Sequence, residues 1–152
     1  TVLEEDIQEY FEMDQPSPYM LMVIPVKKER WKELPDNYNE MKLYDRLYYL
    51  RSDIPAVTHI DYSARIQSVK KETNPKYWEV INEFKKKTGY GIIVNTSFNV
   101  RGEPIVCTPE EAFKCFMRTE MDVLVVGNYY FRKEDQTALK NDSNWKEEFK
   151  LD

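Results

Sequence analysis

The chain has 152 residues, with 22 Lys and Arg set against 27 Asp and Glu, for a formal net charge of −5. That balance excludes a general nucleic-acid binder and an anionic-membrane binder, since both need a basic face, but it leaves room for a local pocket built from a few arginines. A hydrophobic content of 41% and an aromatic content of 14% exclude a disordered chain and fit one domain with a single core. No apolar run approaches bilayer length and no signal-peptide pattern opens the chain, so the expectation is a cytoplasmic protein with no membrane partner.

The chain opens on Thr1 and enters the acidic segment VLEEDIQEYFEM, which reads as a piece of a longer polypeptide. Leu3, Ile7, Tyr10 and Phe11 lie close to helical spacing, and Pro16 and Pro18 end the segment. PYMLMVIPV (18–26) is an apolar run of strand length, expected as a buried strand. Residues 27–55 are charged and tyrosine-rich, with a turn signal at Pro35-Asp36-Asn37, and predict loops with a short helix around 40–50. AVTHIDYSARIQSV (56–69) predicts strand, turn and strand, the turn falling at Asp61-Tyr62-Ser63.

The next segment is helical by its punctuation. Asn74 is placed to cap, Pro75 takes the first helical position, and Gly89 closes the helix. Tyr77, Ile81 and Phe84 share one face, and Lys85, Lys86 and Lys87 complement the C-terminal dipole rather than forming a nucleic-acid patch. GIIVNTSFNVRGEP (91–104) runs from a strand into a polar loop. Thr108 and Glu111 have capping-box spacing around Pro109, and Ala112, Phe113, Phe116 and Met117 make the buried face of a second helix. VLVVGNYYFRK (123–133) predicts a strand with a turn available at Gly127-Asn128, and residues 134–152 a polar tail. Strands alternating with single helices indicate an α/β domain.

Three polar clusters stand at the ends of apolar segments, where α/β proteins place ligands. They are Thr58, His59, Asp61, Ser63 and Arg65; then Asn95, Thr96, Ser97 and Asn99; then Arg101 and Glu103. Two guanidinium groups, short hydroxyls and amides, and loop N–H groups are equipment for holding a phosphate. No nucleophile elbow, Walker loop or zinc-binding HExxH string is present. The two cysteines, Cys107 and Cys115, lack metal spacing and read as reduced thiols, so no metal site is expected. The single histidine, His59, reads as a structural hydrogen-bonder, Arg65 has a surface partner available in Asp61, and Arg101 has one in Glu103. Chemistry alone indicates a phosphate or nucleotide ligand.

The strings IPAVTHIDYSARIQSV, NPKYWEVINEF and GIIVNTSFNVRGEPIVCTPEEAFKCF, in this order and spacing, resemble the C-terminal domain of the carbamoyltransferase family, which includes nodulation-factor and antibiotic O-carbamoyltransferases. The resemblance covers residues 1–133, is densest over 54–127, and leaves 134–152 as a C-terminal tail. It implies a YrdC-like α/β fold, a twisted mixed sheet with flanking helices in a single domain. In such enzymes that domain joins carbamoyl phosphate and ATP, with Mg2+, into carbamoyl-adenylate. A larger N-terminal transfer domain of the same polypeptide, which holds iron, then passes the carbamoyl group to a hydroxyl acceptor. Among the catalytic positions, Arg65 matches the family arginine expected to hold phosphate of the nucleotide or of carbamoyl phosphate, and Ser97 the loop serine expected to contact the adenylate; Thr58, Asn95, Thr96, Asn99 and Arg101 match the substrate- and nucleotide-binding positions. Where the family commonly has glycine in the turn before A-R-[IV]-Q, this chain has Tyr62. A basic segment upstream of Thr1 is expected to complete the pocket, so the chain alone is expected to be inactive. Two other functions remain open: a non-catalytic nucleotide-binding or domain-docking module, and another carbamoyl-adenylate synthesis of YrdC type.

Overall fold

The computed structural model describes residues 1–100 and 102–139. The chain divides into two compact units, one from Thr1 to Asn95 and one from Thr96 onward. In the first unit the elements are β1 (Val2–Leu3), a 3-10 turn at Glu4–Asp6, α1 (Ile7–Tyr10), β2 (Met22–Pro25), α2 (Leu43–Tyr48), β3 (Ser63–Ile66), β4 (Ser68–Val69) and α3 (Pro75–Thr88). The second contains α4 (Pro109–Arg118), β5 (Val123–Val126) and β6 (Tyr129–Arg132).

The α/β expectation holds, but among the described residues the single mixed sheet is replaced by three two-stranded ones. β1 pairs with β4 in parallel, β2 with β3 antiparallel, and β5 with β6 antiparallel. β5 and β6 form a hairpin turning at Gly127, whose φ of 59° lies in the left-handed region that glycine enters without a steric penalty.

Leu3, Ile7, Tyr10 and Phe11 are all buried, as their spacing predicts, yet the segment begins as a strand. Val2 and Leu3 pair with Ser68 and Val69, and this pairing outcompetes the local helical preference until the 3-10 turn begins at Glu4. The apolar side chains of Val2, Ile7, Phe11, Val26, Ala64 and Ile66 form the main core, while Leu3, Val69 and Ile81 form a smaller one beneath α3.

Three strand expectations change. β2 forms, but Leu21 and Val23 are 82% and 54% exposed, so the run is not buried. A two-stranded ribbon has only one face on the core; Ile24 and Val26 take that face and the alternate residues are left outside. Residues 56–60 form a turn rather than a strand. The amides of Val57 and Thr58 donate to the carbonyls of Ile54 and Pro55, which consumes the groups a ladder would need. The 91–94 segment is not a central strand either. Its backbone bonds to the first residues, Leu3 N–H to Gly91 O and Ile93 N–H to Thr1 O, make an isolated bridge at Val2 and Ile92.

The helix expectations hold. The Asn74 side chain accepts from Tyr77 N–H, and Gly89 ends α3 with a φ of 84°. α4 carries the full Thr108–Glu111 capping box; of its expected buried face Ala112 and Phe116 are buried and Phe113 and Met117 half-buried, with Cys115 buried beside them. On α3 only Ile81 is fully enclosed; Phe84 is 41% exposed. Lys85 does more than match the dipole, since its ammonium contacts both oxygens of the buried Asp6 carboxylate at 2.7 Å. Of the tail, residues 140–152 lie outside the described residues.

Candidate functional site

Strand alternation builds the polar surface of the first unit. Ala64 and Ile66 point into the core, so Ser63 and Arg65 take the opposite face of β3. The register sets Arg65 across from Val23 and Ser63 across from Pro25. Among the described residues the exposed Arg65 guanidinium makes no side-chain hydrogen bond or ion pair. The partner that sequence offered it, Asp61, is occupied: its Oδ1 accepts from Ser63 N–H at 3.1 Å and from the Ser63 hydroxyl at 2.6 Å. These Ser63 donors hold the Asp61 carboxyl below its ordinary range.

The turn that precedes β3 folds back over Ser63. His59 N–H donates to Ser63 O at 2.7 Å, and His59 Nδ1 lies 3.0 Å from Ser63 Oγ. Tyr62 occupies the left-handed region with a φ of 63°, and its ring stacks on Trp31 at 4.1 Å. Thr58 is buried with its hydroxyl committed to the turn: it donates to Ile54 O at 2.9 Å and lies 2.7 Å from Ser52 Oγ. No hydroxyl proton of Thr58 is left for a ligand.

Gln67 extends the same face two residues beyond Arg65. Its Oε1 accepts from Asn95 Nδ2 at 2.6 Å and from Thr1 Oγ1 at 3.1 Å, while its Nε2 donates to Pro18 O. Gln67 and Asn95 are therefore brought together on the first unit, Gln67 two residues along the chain from Arg65. Gln67 was not among the site residues read from sequence, although its two-residue offset from Arg65 was the signal for it.

In the second unit, Thr96 and Ser97 are exposed at the start of the loop. Asn99 braces that loop, its Nδ2 donating to Val100 O at 3.1 Å and Glu103 O at 2.9 Å. Glu103 Oε2 in turn accepts from Val100 N–H, and Val106 N–H closes the loop onto Phe98 O. Arg101 lies outside the described residues. Burial, followed by the nearby Glu103 carboxylate, pushes the Cys115 thiol up, which suits an inert core thiol. Between α4 and the β5–β6 hairpin runs an open groove of about 760 Å³ lined by Phe113, Leu124, Tyr129 and Phe131. Among the described residues no group of three or more His, Cys, Asp or Glu could hold a metal ion, and no helix is long and apolar enough to cross a membrane.

Comparison with known proteins gives this surface a context. The model of the family described as the carbamoyltransferase C-terminus matches residues 1–133. An uncharacterised protein of Synechocystis sp. is 51% identical over 152 residues, covering 100% of this chain and 25% of its own length. Nodulation protein NolNO of Sinorhizobium fredii is 40% identical over 145 residues, covering 93% of the chain and 18% of its own length. A 3'-hydroxymethylcephem-O-carbamoyltransferase of Amycolatopsis lactamdurans is 29% identical over 131 residues, 86% of the chain and 21% of its own length. The chain thus spans a quarter or less of the length of these relatives. With the match running over residues 1–133, the chain belongs to the carbamoyltransferase C-terminus family.

Proposed function

We propose that the chain is the C-terminal, YrdC-like domain of an O-carbamoyltransferase, binding ATP and carbamoyl phosphate and joining them as carbamoyl-adenylate. The acceptor of the carbamoyl group is a hydroxyl, in line with the relative from Amycolatopsis lactamdurans whose name describes an O-carbamoyltransferase. The observation that carries this reading is the exposed Arg65 guanidinium on β3, which among the described residues makes no side-chain hydrogen bond or ion pair, its nearest acidic neighbour in sequence being already engaged by Ser63. An unpaired, exposed arginine on a rigid strand is a ready clamp for a phosphate.

In this reading Arg65 binds phosphate, and Ser97, with Thr96, Asn99 and Arg101, contacts the adenylate. Asn95 donates within the first unit to Gln67, two residues along the chain from Arg65. Such a site works by orientation and by spreading charge on the transferred group, which needs fixed donors and no covalent nucleophile. Mg2+ is supplied with the nucleotide, whose own phosphate oxygens are its main ligands, and it neutralises charge on them. The place of iron in this reading is the N-terminal transfer domain, which carries the last step.

Calorimetric titration of ATP and Mg2+, with and without carbamoyl phosphate, tests the reading on a polypeptide extended upstream through the basic segment. Saturable binding that weakens at least about ten-fold in Arg65→Ala, with the melting temperature unchanged, is expected for an exposed charge-assisted contact. Absence of nucleotide binding would defeat it. A docking role is favoured by one observation: on α2, Leu43, Tyr44, Leu47 and Tyr48 are all more than half exposed. A polypeptide that binds no nucleotide yet needs these four side chains to associate with its neighbouring domain would establish that second reading.

A further inference from the structure

The hydrogen bonds around Ser63 fix which nitrogen of His59 carries a proton. Ser63 has one hydroxyl proton, and its 2.6 Å contact is with Asp61 Oδ1. The Asp61 carboxyl, held below its ordinary range, is ionised and has no proton to give. The hydroxyl proton is therefore committed to Asp61, and Ser63 Oγ turns a lone pair toward His59. The 3.0 Å contact between His59 Nδ1 and Ser63 Oγ must then be a donation from Nδ1–H. In the neutral imidazole this leaves Nε2 as a bare acceptor. His59 is exposed, and its ring contacts the side chain of Ser63, the residue two positions before Arg65 on β3. Arg65 thus offers a phosphate donor and His59 a neutral acceptor.

We propose that His59 is a specificity-determining residue of the Arg65 site, its Nε2 accepting an N–H from the carbamoyl amino group of carbamoyl phosphate. Ser63 and Asp61 are positioning residues that hold the required tautomer. This rests on the reading of Arg65 as a phosphate contact. The ligand that satisfies both groups carries an N–H donor beside a phosphate. Carbamoyl phosphate does so, whereas the amino group of the adenine base is remote from the phosphates of ATP. Acetyl phosphate has the same shape but a methyl group in place of the amino group, so it leaves the His59 acceptor unpaired. A site built around a hydrogen bond discriminates against the analogue that lacks it.

Two measurements test this. Because His59 is the single histidine, long-range proton–nitrogen NMR reports its tautomer without assignment ambiguity. Protonated Nδ1 with a bare Nε2 is expected at about pH 8, with a shift toward the Nε2–H form in Ser63→Ala. A dominant Nε2–H form in the unaltered chain overturns the proposal. Dissociation constants for carbamoyl phosphate and acetyl phosphate supply the second measurement, made on the polypeptide extended upstream. A preference for carbamoyl phosphate of about ten-fold, the worth of one hydrogen bond, is expected. His59→Phe should abolish the preference and leave acetyl phosphate affinity in place; His59→Gln, which keeps an acceptor, should restore part of it. Arg65→Ala should weaken both ligands together. Equal affinities, or a preference that survives in His59→Phe, overturn the role of His59 while phosphate binding and the role of Arg65 stand. Failure of either phosphate to bind the unaltered polypeptide overturns the site as a whole and this inference with it.

Discussion

At the scale of single residues, Tyr62 carries a conformational cost and Gly91 a steric limit. Tyr62 holds a left-handed φ of 63°, which costs an L-residue about 1–2 kcal/mol. Its stack on Trp31 returns about 0.5–1.5 kcal/mol, so the two terms nearly cancel. Tyr62→Ala should lose the stack and keep the strain, destabilising the chain by about 1 kcal/mol. Tyr62→Gly should be about 1 kcal/mol more stable than the alanine variant in urea denaturation, against the usual penalty for glycine. The two variants unfolding alike would show that the turn is unstrained. Gly91 is constrained by space instead. An added Cβ would sit 2.2 Å from Asp6 Oδ2, the carboxylate that holds Lys85, and 3.2 Å from the Lys85 side chain itself. Gly91→Ala should cost about 2–3 kcal/mol by calorimetry, since it displaces a buried acid from its partner. An alanine tolerated within about 0.5 kcal/mol would mean that this pair can move.

At the scale of elements, the α4 capping box makes stability depend on acid. Glu111 Oε2 accepts from the amides of Cys107 and Thr108, both at 2.9 Å, and Thr108 Oγ1 accepts from Glu111 N–H. Those amide donors, that of Cys107 first, hold the Glu111 carboxyl below its ordinary value of 4.5. A carboxyl lowered in the folded state stabilises fully above its unfolded pKa and loses that contribution as pH falls through the folded one. The melting temperature should therefore fall on acidification from about 4.5 downward, and less steeply in Glu111→Gln than in the unaltered chain. Thr108→Ala should cost about 1 kcal/mol at neutral pH. Equal acid limbs in the two proteins would remove Glu111 from the account.

The same elements show what sequence makes legible. Asn74, Pro75 and Gly89, like Thr108 and Glu111, announce helix ends because a cap is satisfied within a few residues. The fate of the 18–26 run depended on how many strands flank it, a long-range fact that no local pattern contains. Likewise 56–60 was lost as a strand because Thr58 and its amide found nearer acceptors. At the site, sequence offered Asp61 as a surface partner for Arg65. The pairing of Asp61 with Ser63 rather than Arg65 was decided by proximity: a side chain two residues ahead of two donors reaches both without crossing the strand. The Gln67–Asn95 bond joins positions 28 apart and left no trace in either motif.

At the scale of the whole molecule, both apolar clusters lie inside residues 1–95, so that unit contains its own core. A chain ending at Asn95 should unfold cooperatively in urea, with the dispersed methyl resonances of a packed interior. Loss of cooperativity would mean that the first unit depends on the second. The stacked Trp31–Tyr62 pair has an optical consequence here. Its indole sits against the turn that carries His59 and leads into Arg65, so a ligand drawn to that face alters the emission of Trp31. In the proposed reading Trp31 would thus report occupancy of that face, and replacing Trp78 and Trp145 by phenylalanine would isolate that signal for titration without any added dye.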